Sequence, residues 1–236
     1  MLSILASDFI KIKRKLIWLL IFLGPFGVVA LEAVNFGLRY DYLTKVHEKD
    51  LWTGLIGEAN YLAIPALMLG LTLIASMISN IEHQTNAWKQ VLALPVSKLR
   101  VFTGKFVLTA LLLFVSSTLL FIGIIVLGIF LKFGTDFPLL SLLKMSYYPY
   151  LAAMPFIALQ IWLSITMKNQ AIPLVIGIVG TILSLMSFRF PDWMPWKWPS
   201  LMNSWDNPLY SVIFGLACGF TIYLIGLFDF ARKDVK

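Results

Sequence analysis

Residues 59–81, ANYLAIPALMLGLTLIASMISNI, contain no Asp, Glu, Lys or Arg. A helix crossing the hydrocarbon core of a bilayer needs about 20 mainly apolar residues, so this run is long enough to cross. Five further runs pass the same test: 16–38, interrupted only by Glu32, then 106–131, 145–167, 169–188 and 207–228. Together they fill well over half of the 236 residues, and what lies between them is shorter than the roughly 50 residues of a small folded domain. The chain therefore reads as all-α, a single transmembrane domain over 1–236. Its six transmembrane helices fall at about 16–37, 60–81, 106–131, 145–167, 170–188 and 208–228, with a segment at 1–14 before the first and a loop at 82–105 between the second and third.

The composition agrees. Apolar residues make up 59% and charged residues 13%, against about 25% charged in ordinary soluble domains. A mean hydropathy of +0.85 excludes disorder. The one cysteine, Cys218, can form no internal disulfide. A pI near 9.5 would suggest nucleic acid in a soluble chain; in a membrane chain it reports orientation, because Lys and Arg are retained on the cytoplasmic side. With six spans both termini share a face. Cytoplasmic termini put Lys11, Lys13, Arg14, Lys15, Lys89, Lys98, Arg100, Lys105, Lys168, Arg232, Lys233 and Lys236 inside, leaving Arg39, Lys45, Lys49, Lys132, Lys144, Arg189 and Lys197 outside. The expectation is a multi-pass plasma-membrane protein with both termini cytoplasmic, and with no nucleic-acid partner.

At the N-terminus, Asp8 precedes the basic cluster and no A-x-A-like site follows the apolar run, which argues against a cleaved signal peptide. Leu2, Leu5, Phe9 and Ile12 fall on one helical face, with Ser3, Ser7, Lys11 and Arg14 roughly opposite. That pattern predicts a short helix in the membrane interface; a plain cytoplasmic extension of span 1 is the alternative. The outer loop 39–58 is mixed in charge and reads as a solvated loop or short surface helix. Segment 189–207 is different. Its prolines forbid one regular helix, and Trp193, Trp196, Trp198 and Trp205 predict an aromatic belt at the outer interface, or alternatively a lid over a substrate path.

In the loop after Ile81 a polar stretch from Glu82 to Asn86 gives way to Ala87, Trp88, Val91 and Leu92 at helical spacing. Leu94-Pro95 ends that helix, since proline removes a donor and disfavours the α region in the residue before it. Ser97 then suits the N-cap of a helix that starts Lys98-Leu99-Arg100 and runs into span 3. The outcome is a short amphipathic helix beside the membrane, its apolar side needing either the membrane surface or a groove on a cytosolic partner.

Several chemistries are excluded. His47 and His83 fall on opposite faces, so they share no metal site or dyad. There is no G-x-x-x-x-G-K-[ST], G-x-G-x-x-G or H-E-x-x-H, and no paired acids at helical spacing that could hold catalytic ions. The chain is expected to have no catalytic residues, no metal and no cofactor of its own. Glu32, the one ionisable group inside a run, lies near the outer end and is expected to snorkel to the interface. Gly215 and Gly219, continued by Gly226, form one small-residue stripe, and Gly177 with Gly180 or Thr181, Ser184 and Ser187 forms another. Such stripes permit close helix packing, within the chain or in a dimer. Pro25, Pro65, Pro149, Pro155 and Pro173 are expected to kink or locally open their spans.

Six spans, an interfacial N-terminal helix, no nucleotide site and an amphipathic element between spans 2 and 3 together resemble the permease subunit of ABC-2 type ABC transporters. The residues carrying the resemblance are Ile81-Glu82, the helix around Trp88 to Leu94, and Leu94-Pro95-Val96-Ser97-Lys98 leading to Gly104-Lys105. In that family an acidic residue, a leucine-rich helix, an L-P-small-S-R/K motif and a later lysine form the region that docks on the ATPase. The resemblance implies ATPase coupling for Glu82, Trp88, Val91, Leu92, Pro95, Ser97 and Lys98. Gln84-Thr85-Asn86 departs from the Gly-Thr the family often has there. Size and texture look most like the small Gram-positive permeases that protect against or export antimicrobial peptides such as lantibiotics and bacitracin.

The resemblance thus implies one membrane subunit of an ATP-driven exporter of lipophilic or amphipathic cargo. Its partners would be two cytosolic ATPases holding the ATP and Mg, a second permease subunit (identical or related) and membrane lipid. Two alternatives remain: an integral-membrane enzyme acting on lipid or isoprenoid phosphates, and a secondary transporter or channel, disfavoured by nearly uncharged spans and the lack of an internal repeat.

Overall fold

A computed structural model describes residues 2–13, 15–84 and 97–232, with side chains from Leu5 onward and excepting Gln84. Helix α1 is Leu2–Ile12, α2 Ile17–Val46, α3 Leu51–Gln84, α4 Lys98–Phe130, α5 Leu139–Ala152, α6 Met154–Thr166, α7 Ala171–Leu185 and α8 Pro208–Arg232. Short 3-10 segments lie at Ser187–Arg189 and Pro195–Ser200. No strand occurs among the described residues.

Among the described residues four helices are long and apolar enough to cross a membrane: α2, α3, α4 and α8. The pair α5 and α6, bent by 40° at Ala153, makes a fifth if it crosses as one broken span. The break has a covalent cause. Pro155 has no N–H to give to Leu151, and the ladder restarts with Phe156 N–H donating to the Ala153 carbonyl at 3.0 Å. The span expected at 170–188 is shorter than its charge-free run. Helix α7 has 15 residues, about 22 Å at 1.5 Å per residue, against a hydrocarbon core of about 30 Å. The run starts with a turn at 167–170 and ends in the 3-10 segment, so absence of charge overstated the length of helix.

Helices α2 and α3 exceed expectation instead. At 30 and 34 residues they reach about 45 and 51 Å, so most of the segment 39–58 is helix and only a four-residue turn, 47–50, joins them. Asp50 caps α3, accepting from Thr53 N–H at 3.0 Å and Thr53 Oγ1 at 2.6 Å. Both helices continue past Pro25 and Pro65, and the only residue of α2 with non-helical dihedrals is Arg39.

Two of the three apolar clusters among the described residues stack along the bundle. One joins Ile17 and Ile21 of α2 to Leu71, Ile74 and Ile78 of α3, Leu108 and Leu112 of α4, and Ile157 of α6. The other joins Phe36, Trp52, Leu55, Ile124, Leu142 and Met145 towards the opposite end. Glu32 lies on the buried stripe of α2, 2% exposed, accepting from Asn35 Nδ2 at 3.2 Å. It does not snorkel, because its face of α2 packs against protein.

The polarity of α1 also differs from the expected one. Asp8 and Ile12 are buried, Lys11 is half-buried, and Phe9 and Ile10 are 42% and 72% exposed. The helix packs against α4, and it turns two charged residues inward because ionic partners await them there.

Candidate functional site

At the end of α3 the chain places a carboxylate where two other helices deliver cations. Glu82 occupies the last turn of α3. The start of α4 is set by Ser97, in an extended conformation, whose side chain accepts from Arg100 N–H at 3.4 Å; this is the expected N-cap. From that start, Val101, Lys105, Leu108 and Leu112 share a stripe at i, i+4, i+7 and i+11 that faces the bundle. A lysine on a buried stripe must be paired. Lys105 Nζ donates to Glu82 Oε2 at 2.7 Å and to the Ile78 carbonyl at 3.2 Å. Lys11 of α1 donates to Glu82 Oε1 at 3.1 Å and to Asp8 Oδ1 at 2.9 Å.

The four groups form a chain, Asp8, Lys11, Glu82, Lys105, with formal charges that cancel. Glu82 and Lys105 are each 2% exposed and Asp8 5%. Burial alone would push the Lys11 ammonium down, but the hydrogen bonds and charges of Asp8 and Glu82 outweigh it and hold its pKa above the ordinary lysine value. The sign follows: a raised lysine pKa gives a contribution fully present below the ordinary value and lost only as pH rises through the higher one, so α1 stays pinned throughout the physiological range.

This cluster fastens both ends of the segment 85–96. Of the expected coupling residues, Glu82 is at its core, Ser97 caps the helix carrying Lys105, and Lys98 begins that helix; Trp88, Val91, Leu92 and Pro95 lie outside the described residues. Lys105 is the later lysine of the resemblance, though its pairing with Glu82 was not foreseen; Lys11 and Asp8 were not among the expected site residues. The signal available was a lone acid at a span end, which needs a counter-charge if it faces protein.

A second polar set ties α3 to α6 and α7. Gln160 Nε2 donates to the Pro173 carbonyl at 2.9 Å and to Ser76 Oγ at 3.3 Å. Ser164 lies 3.4 Å from Ser76, and its carbonyl meets His83 Nε2 and Gln170 Nε2, each at 3.1 Å. These contacts satisfy carbonyls that the end of α6 leaves open.

At the opposite end the four tryptophans divide. Trp193 and Trp205 are exposed, whereas Trp198 is buried and donates to the Asp192 carbonyl at 2.8 Å, and Trp196 packs on Phe156 with ring centres 5.7 Å apart. Lys197 pairs with Asp192 at 2.8 Å, and Ser204 donates to the same carboxylate. The bond from Lys197, then that from Ser204, lowers the Asp192 pKa to about 2.

The glycine stripes meet neighbours within the chain. A Cβ on Gly215 would come 2.6 Å from the Ala152 backbone, one on Gly219 2.7 Å from Met154, and one on Gly226 2.8 Å from Trp162. Helix α8 thus lies along the broken pair at close approach. Gly177 faces Thr72, and Gly180 faces Trp196.

No group of three or more His, Cys, Asp or Glu that could hold a metal occurs among the described residues. Residues 4–184 match the family model described as ABC-2 family transporter protein. No curated protein and no solved structure matches the chain.

Proposed function

Since this chain belongs to the ABC-2 transporter family, a family of membrane components that work with ABC ATPases, we propose that it is the permease subunit of an ATP-driven exporter and that the segment 82–98 transmits force from the ATPase. The observation that carries the reading is the buried Asp8, Lys11, Glu82, Lys105 chain, which ties α1, α3 and α4 into one block at the two ends of that segment. Without such bracing, a push on 85–96 would not move α1, α3 and α4 together. With it, displacement passes into α3 and α4, the two longest of the described helices.

In this reading α7 and the 3-10 segments after it complete a sixth crossing, both termini are cytoplasmic, and Trp88 and Leu92 fill a groove on the ATPase. Two ATPases and a second permease subunit, identical or related, complete the transporter. The cargo is lipophilic or amphipathic, an antimicrobial peptide being one such molecule. Replacing Trp88 or Leu92 by Asp is expected to leave membrane insertion intact and abolish co-purification of the ATPase; a complex that survives both changes overturns the assignment.

A further inference from the structure

Two voids in the bundle share one wall residue. The first is an open cleft of about 480 Å³ at the end opposite Glu82, between the starts of α3, α5 and α8, lined by Ile56, Asn60, Ser141, Lys144, Met202 and Asp206 among others. The second is a narrow cavity of about 40 Å³ between α2, α3, α4 and α5, walled by small side chains such as Gly24, Ala63, Ala66, Gly70 and Ser117. Met145, 4% exposed, lines both. Its sulfur accepts from Ser146 Oγ at 3.8 Å, and a methionine is the side chain best able to change rotamer and open such a wall.

The polar groups of the cleft are incompletely used. Lys144 is half-buried and makes no ion pair or hydrogen bond among the described residues. The Asn60 side-chain oxygen is buried with no partner. Asp206 lies on the exposed rim. The far wall is fixed, since Asn203 Nδ2 donates to the Asn207 carbonyl at 2.8 Å and to Ser211 Oγ at 3.2 Å, while its oxygen accepts from Trp205 N–H at 3.1 Å. A preformed cleft with an apolar floor, one unpaired ammonium and one unsatisfied amide oxygen suits a head that carries both a negative charge and a hydroxyl donor.

We propose that this cleft binds the phosphate head of a single-chain amphiphile, with the ammonium of Lys144 on the phosphate, the Asn60 oxygen accepting from its hydroxyl, and the chain beyond its second carbon passing Met145 into the inner cavity. The idea rests on the transport reading and names a ligand class for it, an amphipathic phosphate. A cavity of about 40 Å³ holds about three groups of water or methylene size. Each buried methylene strengthens binding about fourfold, so three of them contribute about 60-fold.

The test uses the purified full-length chain in phosphatidylcholine nanodiscs, without any ATPase, so that its failure is separate from failure of the coupling assignment. Binding of dodecyl phosphate, ethyl phosphate and inorganic phosphate is measured by native mass spectrometry against empty nanodiscs. Dodecyl phosphate is expected to bind about 60-fold tighter than ethyl phosphate. Lys144→Gln should weaken both esters about tenfold or more. Asp206→Asn, which removes a repelling charge from the rim, should tighten both by up to about fivefold. Met145→Trp should erase the advantage of the long chain and leave ethyl phosphate unchanged; should that variant fail to fold, the two charge variants still decide. Dodecyl phosphate affinity unmoved by either charge variant overturns the site. Equal affinity for ethyl and dodecyl phosphate overturns the chain-binding half and leaves a site for free phosphate.

Discussion

Replacing Glu82 by Gln removes the carboxylate charge shared by Lys105 and Lys11 and leaves a single neutral acceptor oxygen. Glu82 Oε2 lies 2.7 Å from Lys105 Nζ, and both side chains are 2% exposed. Lys105 would keep the Ile78 carbonyl and lose its carboxylate, a buried cation without its counter-charge, which costs about 3 to 5 kcal/mol. Lys105→Met leaves the reverse imbalance. There Glu82 keeps Lys11 at 3.1 Å, a partner whose own side chain is 35% exposed, so the cost should fall at or below the lower end of that range. In the double variant neither uncompensated charge remains, and a buried pair replaced by apolar or neutral groups is often close to neutral. The two single costs should therefore exceed the double cost by at least about 2 kcal/mol, within the span of couplings between touching residues. The assay is unfolding of the four proteins, wild type included, in the same detergent, followed by loss of helix signal. Additive costs would show that Glu82 and Lys105 do not act as a pair and would refute the brace.

Other consequences concern different parts of the molecule. Gly215→Ala puts a Cβ 2.6 Å from the Ala152 backbone, which must shift, so the variant should lose about 1 to 3 kcal/mol and unfold earlier in the same assay, whereas Gly27→Ala, with nothing within 4 Å, should not. Asp50→Ala removes the α3 cap and should cost about 1 kcal/mol, read as a lower midpoint. The depressed Asp192 carboxyl contributes fully above the ordinary carboxylate range and loses its effect as pH falls through about 2. Tryptophan emission should therefore hold steady from pH 7 to about 4 and change between there and pH 2, and Asp192→Asn should abolish that step.

Much of the architecture was legible because charge is expensive in a bilayer: the long helices α2, α3, α4 and α8 each hold all but at most one residue of one of the apolar runs. The bend at Ala153 was foreshadowed by Pro149 and Pro155, but five prolines looked alike in sequence and helices α2 and α3 absorb theirs. The length of α7 was not legible, since Asn169, Gln170 and Ser187 carry no charge yet are spent on turns and a 3-10 segment. At the site, Glu82 and Ser97 could be read from the order acid, helix, Pro, cap. Lys105 was quoted as the later lysine, but its pairing with Glu82 was not legible, because a lysine at the head of a span resembles any orientation-setting basic residue. Asp8 and Lys11 misled for a related reason: a charge assigned to water can face inward when another helix supplies its partner. Glu32 shows the same for a carboxylate on a protein-facing stripe.

The most direct test of the account is site-specific photocross-linking from Gln90, in the middle of the segment that Glu82 and Ser97 bound. With the transporter assembled in its membrane, the account predicts a cross-link from position 90 to the ATP-hydrolysing subunit, lost when Trp88 is changed to Asp. Cross-links to lipid alone from position 90, with the ATPase captured instead from the 167–170 turn, would contradict it.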